Sequence, residues 1–335
     1  MSNDKLTFCV FGAGRIGKLH ARNVAKHPKA KVKYVVDPIG KAAAELAGQL
    51  GADTAPDAAS ALADPGVDAV VIASSTNTHV DLITASAKAG KAVLCEKPID
   101  LDIKRVDKCL AGLKKHRVPV GIGFNRRFDP TNRAIQSAIR KGEVGDVELV
   151  VITSRDPGPP PLEYIKVSGG LFRDMMIHDF DLARWLLGEE PVEVVAKASC
   201  RVDGKIGKAG DVDTAMVILK TKSGSLCHIN NSRRATYGYD QRVEVFGSKG
   251  MVRSDNLRPT AILRSNDTTT EARDVLLNFF IERYVQAYEN ELNDFIDAVT
   301  AGRQPSVGAE DGRRALLLAD AALASHKSGK TVTVK

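Results

Sequence analysis

The chain has no apolar run near the ~18 residues that a membrane-spanning helix needs. It has no C-x-x-C pair, no internal repeat and no low-complexity tract beyond one proline-rich stretch. The first absence argues against a spanning segment. The five cysteines (Cys9, Cys95, Cys109, Cys200, Cys227) are odd in number and scattered. That argues against a disulfide framework or a structural zinc site, and points to a reducing, cytoplasmic compartment. Residues MSNDKLTFCVFGAG lead straight into a strand pattern, so no leader is expected. No basic cluster carries interleaved aromatics: Lys114-Lys115-His116-Arg117 and Arg126-Arg127 read as solvated helix faces. The net charge of +7 is spread along the chain among 41 acidic residues, so nucleic acid is not an expected partner.

What is present is rhythm. A length of 335 residues suggests about two domains. Strand patterns over residues 6–11, 32–36, 68–73, 92–95 and 118–124 alternate with helical patterns of 10–15 residues. This predicts right-handed crossovers and a doubly wound parallel sheet in residues 1–124. Residues 125–335 read differently. A helix near 131–141 and a strand at 147–153 precede the loop Asp156-Pro157-Gly158-Pro159-Pro160-Pro161 and a helix over 171–187. Strand-like runs at 192–202, 214–221, 225–231, 241–246 and 250–254 follow each other across short Gly/Ser turns, before helices over 277–300 and 309–328. Strand after strand predicts an α+β domain with a large, mostly antiparallel open sheet. The C-terminal helices are free to pack back on the first domain.

The first strand ends in Gly12-Ala13-Gly14-Arg15-Ile16-Gly17, and Asp37 closes the second strand twenty residues after Gly17. Strand, glycine motif, helix, strand and acid in this order predict a dinucleotide site. Gly12 permits the tight turn, Gly14 the approach of a pyrophosphate to the helix N-terminus, and Gly17 close helix–strand packing. Asp37 can accept from both adenosine ribose hydroxyls and would repel a 2′-phosphate, so NAD is expected over NADP; it can also cap the next helix. The strand over 68–73 ends at Ser74-Ser75-Thr76-Asn77-Thr78-His79, at the carboxyl edge where ligands of such sheets lie. Ser74 and Thr76 suit ribose and pyrophosphate, and Asn77 the nicotinamide side. His79 is open to a second role as first-turn helix surface.

Glu96-Lys97-Pro98 follows the strand over 92–95 at the same edge. An ammonium there would stabilise an oxyanion forming beside a nicotinamide. Asp174, His178, Asp181 and Trp185 stand at i, i+4, i+7 and i+11, on one face of a predicted helix. A carboxylate holding an imidazole suits proton transfer near neutral pH. A buried structural His–Asp pair is the bland alternative, and a metal is not expected, for want of further ligands at recognisable spacing. Asp179 points elsewhere on the helix and is free to contact the first domain.

G-A-G-R-I-G, the acid at strand two, E-K-P, G-F-x-R-R-F and the D-x-x-x-H helix together resemble the Gfo/Idh/MocA oxidoreductase family over essentially the whole chain. Within it the chain resembles the inositol 2-dehydrogenases through the segments 168–181 and 231–242. The resemblance implies Lys97, Asp174 and His178 as catalytic residues. It implies cofactor contacts from Gly12, Gly14, Arg15, Ile16, Gly17, Asp37, Ser74, Thr76, Asn77, His79, Glu96 and Lys97. Substrate contacts would come from Lys97, Arg127, Asp156, Asp174, His178, Asp181 and Tyr237, with Tyr239 beside it. The implied activity is oxidation of a cyclic polyol with NAD, foremost myo-inositol to 2-keto-myo-inositol (scyllo-inosose). Scyllo-inositol, another isomer or an aldose are neighbouring substrates. A redox-assisted glycosidase and a non-enzymatic dinucleotide sensor are rival readings. The resemblance implies a homotetramer, although the alternation at Val243, Val245 and Val252 suits an internal core equally well. Two departures stand out: Asn125 where some inositol dehydrogenases have Met, and Ser154-Arg155-Asp156-Pro157 where they have His-Arg-Asn-Pro.

Overall fold

In the computed structural model, which describes residues 5–334, β1 (Leu6–Phe11) is apolar except at Thr7 and buried on both faces. It is the central strand of a six-stranded sheet. The chain continues through α1 (Arg15–Lys26), β2 (Ala30–Val36), α2 (Gly40–Leu50), β3 (Asp53–Thr54), α3 (Ala58–Ala63), β4 (Ala69–Ile72), α4 (His79–Lys88), β5 (Ala92–Cys95), α5 (Ile103–Leu113) and β6 (Val120–Ile122). The strand order is β3-β2-β1-β4-β5-β6 with every pair parallel. This is the doubly wound order with its crevice at the carboxyl ends of β1 and β4, where the winding reverses. Side-chain caps start two of the crossover helices: Asp57 accepts from Ser60 N and Asp102 from Lys104 N.

Next come α6 (Pro130–Arg140), β7 (Val147–Arg155), α7 (Leu162–Ser168), α8 (Ile177–Leu187), β8 (Pro191–Ser199), α9 (Gly204–Lys208), β9 (Thr214–Thr221), β10 (Leu226–Ser232), β11 (Asp240–Gly247) and β12 (Gly250–Arg253). A two-stranded arm, β13 (Leu263–Arg264) and β14 (Ala272–Arg273), precedes α10 (Phe280–Arg283), α11 (Val285–Thr300), α12 (Ala309–Ser328) and β15 (Val332–Thr333). The second sheet has the order β12-β11-β7-β10-β9-β8-β15. It is antiparallel except at its centre, where β7 and β10 run parallel. In β9, Ala215, Val217 and Leu219 face the core while Met216 and Ile218 are exposed, a strict period of two that leaves one face open. Val243 and Val245 face inward with Leu171, Phe180 and Leu186, and Val252 packs against the same cluster.

The chain divides into two compact units. One comprises the residues up to Asn125 with Ala287–Leu316; the other comprises Arg126–Gln286 with the residues from Leu317 on. In the first unit Leu292, Phe295 and Ile296 of α11 join the core formed by Phe8, Val10 and Leu94. Among the described residues no helix is long and apolar enough to cross a membrane.

Two helices expected to be continuous are not. The pattern over 277–300 breaks at Tyr284, between α10 and α11. Tyr284 is buried, with the guanidinium carbons of Arg283 and Arg126 4.8 and 5.8 Å from its ring centre. Seating that ring turns the chain out of the helix. The pattern over 171–187 opens as a π-turn, Leu171–Met175, before α8. Local apolar periodicity also misses α7 within the proline-rich connection and the short α9.

Candidate active site

In the first unit the glycine motif is shaped by close approach. A Cβ on Gly17 would lie 1.9 Å from the Gly12 carbonyl oxygen, and one on Gly12 would lie 2.5 Å from that of Ala73. Around Gly14 there is open space. Helix α1 starts there with no side-chain cap and no acidic residue in its first turn, so its first N–H groups and dipole are available to an anion. Asp37 lies beside this turn. Its Oδ2 accepts from Ala13 N and its Oδ1 from Ile39 N, both at 2.7 Å. It does not cap α2, which begins at Gly40 behind Ile39. These bonds fix the carboxylate at the edge of the cradle and leave lone pairs for hydroxyl donors. The cradle fits a dinucleotide.

Past the end of β4, Ser74 and Thr78 share a hydrogen bond of 2.7 Å. Thr76 is half-buried, while Asn77, like Arg15 and Gly14, is exposed. His79 departs from expectation. It is 1% exposed, its Nδ1 lies 2.8 Å from the Pro98 carbonyl oxygen and its Nε2 3.1 Å from that of Ser74. Burial pulls its pKa down although both carbonyls favour the charged ring. His79 therefore ties the loop after β4 to the loop after β5 and does not present itself to a ligand. Glu96 likewise turns inward, its Oε1 2.8 Å from His20 Nε2. Lys97 beside it is half-buried.

In the second unit the π-turn carries Asp174 and the first turn of α8 carries His178. Such turns cost helix regularity and recur at functional sites. Asp174 Oδ1 accepts from the Tyr164 hydroxyl at 2.9 Å, and its Oδ2 lies 3.4 Å from Arg233 Nη2. Arg233, at 1% exposure, is the largest fully buried side chain among the described residues. Sequence reasoning missed its role; the signal was its place in the segment 231–242. Asp156 follows the end of β7, its backbone N–H bonded to the Ser232 carbonyl. Burial, with the Asp174 carboxylate adding and Arg233 opposing, pushes its carboxyl up to about 6.

The Arg126-Arg127 cluster is no solvated face. Arg126 is buried against Asp179, which also accepts from Asn231 Nδ2 at 2.9 Å. Asp179 thus finds its charge partner within its own unit, and burial still raises its carboxyl pKa against the pull of Arg126. Arg127 forks onto Asp181 through Nε (2.7 Å) and Nη2 (2.5 Å). Asp181 is 1% exposed. These two expected substrate contacts thus meet each other. The Tyr237 hydroxyl donates to Asp240 at 2.7 Å and accepts from Arg155 at 2.9 Å, although its ring is exposed, whereas Tyr239 is buried.

Residues 6–124 match the family described as an oxidoreductase family with an NAD-binding Rossmann fold, and residues 132–253 match the GFO/IDH/MocA C-terminal domain. The chain belongs to the Gfo/Idh/MocA oxidoreductase family. Its first unit is accordingly an NAD-binding domain, which the cradle at Gly14 fits. Among curated members, an inositol 2-dehydrogenase of Rhizobium meliloti is 50% identical over 98% of both chains. A myo-inositol 2-dehydrogenase of Thermotoga maritima is 48% identical over 97% of this chain and 98% of its own. Among solved structures, a scyllo-inositol dehydrogenase of Lactobacillus casei with bound NAD(H) and scyllo-inositol is 28% identical. It superposes with a TM-score of 0.92 over 98% of this Gfo/Idh/MocA chain and 99% of its own.

The raised carboxyl of Asp156 has a measurable consequence for stability. A folded-state pKa of about 6, against about 3.9 in an unfolded chain, means the folded state binds the extra proton. Stability is therefore lost as pH rises from about 4 to about 6. Asp156→Asn removes that loss. The melting temperature of the variant minus that of the wild type is expected to rise across this window and stay flat above it. A constant difference in thermal melts from pH 4 to 8 contradicts the assignment.

Proposed function

We propose that the chain is an NAD-dependent dehydrogenase of a cyclic polyol, oxidising myo-inositol to 2-keto-myo-inositol. The observation that carries this is identity of about one half, over nearly the whole chain, to enzymes named for that reaction. The chemistry of the second unit supports it. Asp156, Asp174, Tyr164 and Arg233 gather acceptors and donors of the kind that read several hydroxyls of one small ring.

NAD, when bound, would supply the acceptor for the hydride that leaves the alcohol carbon. Gly12, Gly14, Gly17 and the open end of α1 would hold its pyrophosphate, and Asp37 its adenosine ribose. His178 removes the proton of the hydroxyl being oxidised. The Lys97 ammonium donates to that oxygen as it gains negative charge. Asp174, itself braced by Tyr164 and Arg233, orients His178 and binds a neighbouring hydroxyl. Asp156, an acid where some inositol dehydrogenases carry the amide, accepts from a further hydroxyl when ionised. NADH formation at 340 nm over a panel of inositol isomers and aldoses tests the reading. Myo-inositol is expected to give the highest kcat/KM, and a tenfold preference for an aldose contradicts it.

The same reading extends to assembly as a homotetramer in the cytoplasm. Met251, Phe246, Leu149 and Leu226 stand directly opposite one another across four neighbouring strands, and all four are exposed. An apolar row of this kind on an open sheet face suits burial against another copy. Leu149→Lys is expected to lower the mass measured by light scattering from tetramer to dimer or monomer. An unchanged mass contradicts this assignment of the face.

A further inference from the structure

A buried set of polar groups behind Lys97 is left over by the chemistry above. Both carboxylate oxygens of Glu96 are engaged. Oε1 lies 2.8 Å from His20 Nε2, and Oε2 accepts from the Lys97 backbone N–H at 3.3 Å. Gly123, just past β6, makes room for this carboxylate; a Cβ there would sit 3.1 Å from its Cδ and Oε2. His20 stands on α1, three residues after Gly17 of the dinucleotide cradle, and is 1% exposed. Its ring meets Tyr288 of α11 edge-on, with centroids 5.5 Å apart. One turn further along α11 is Glu291. It is 2% exposed and neither of its carboxyl oxygens has a hydrogen-bond partner; His20 Nδ1 has none either.

An ionised carboxylate so enclosed would be a buried charge without compensation. Burial, together with the charges of Glu96 and Asp294, pushes the Glu291 carboxyl well above its ordinary value. Glu291 is therefore the group of this set that burial holds in its neutral form. A neutral Glu291, one turn from the Tyr288 ring that meets His20, adds no second charge to the set and keeps a proton to donate, which an ionised group would lack.

We propose that His20 and Glu291 are positioning residues for Lys97: they fix the Glu96 carboxylate, which in turn holds the backbone of the lysine. The helix that opens the dinucleotide cradle is thereby tied to the loop that carries the ammonium. The proposal rests on Lys97 acting as assigned above, and the test separates the two.

His20→Leu removes the hydrogen bond to Glu96 and His20→Gln retains a donor for it. Glu291→Ala empties the neutral site and Glu291→Gln refills it. The leucine and alanine variants are expected to lower kcat about tenfold, with NADH affinity, followed by fluorescence, within threefold of wild type. The glutamine variants recover most of the loss. In a Lys97→Met background the leucine and alanine substitutions add nothing further, because the group they position is gone. If the tenfold loss persists undiminished in that background, or if both variants keep full kcat, the positioning role is overturned while the assignment of Lys97 stands. If Lys97→Met alone keeps wild-type kcat, the assignment of Lys97 falls, and with it the group to be positioned. Should His20→Leu fail to fold, the Glu291 pair decides by the same comparison.

Discussion

His178→Ala is expected to lower kcat for myo-inositol by about 10³-fold, within the range that a positioned general base supplies. NADH affinity should be unchanged, because the cradle at Gly12, Gly14 and Gly17 belongs to the other unit. An alcohol holds its proton far too tightly to lose it to water at neutral pH, and imidazole is the side chain best matched to take it there. His178 is half-buried in the first turn of α8, on a segment anchored by the apolar core at Leu171, Met176, Ile177 and Phe180. Truncation removes the base and leaves that anchorage intact, so the thermal midpoint should move little. Steady-state rates beside a fluorescence titration of NADH check both halves of the statement. Turnover within tenfold of wild type would remove His178 from the base role.

Lys97→Met is expected to cost about 10²–10³ in kcat, the scale for losing one preorganised donor to a developing oxyanion. Methionine keeps length and apolar contact, so the loss reports the ammonium itself. Arginine should not restore it. Its planar guanidinium cannot place a compact point charge where the lysine nitrogen sits, and the loop is fixed by the Glu96 and His79 hydrogen bonds around it. A rate in Lys97→Arg equal to wild type would contradict that geometric requirement.

Much of the architecture was legible because it rests on local signals. Continuous apolar strands and the glycine turn mark the parallel sheet, and residues alternating as in β9 mark the open-faced one. Other features depend on long-range contacts that no local window carries. Arg126 and Arg127 look like a surface pair until Asp179 and Asp181, more than fifty residues away, are brought against them. His79 sits in a polar-looking turn but is enclosed by two backbone carbonyls. A single buried ring, Tyr284, interrupts a helix whose apolar spacing is otherwise unbroken, and Ala287–Leu316 groups with the first 125 residues across a long stretch of intervening chain. The π-turn at Asp174 has no propensity signature of its own. It arises because the segment is anchored on both sides, by Asp211 accepting from Leu171 N and by the buried Met176 and Ile177.

The most direct test of the account is the fate of deuterium carried on C2 of myo-inositol during NAD reduction. The label is expected to appear quantitatively in the reduced nicotinamide by mass spectrometry, with 2-keto-myo-inositol as the coproduct. Unlabelled NADH, or deuterium released to water, would contradict direct hydride transfer from that carbon.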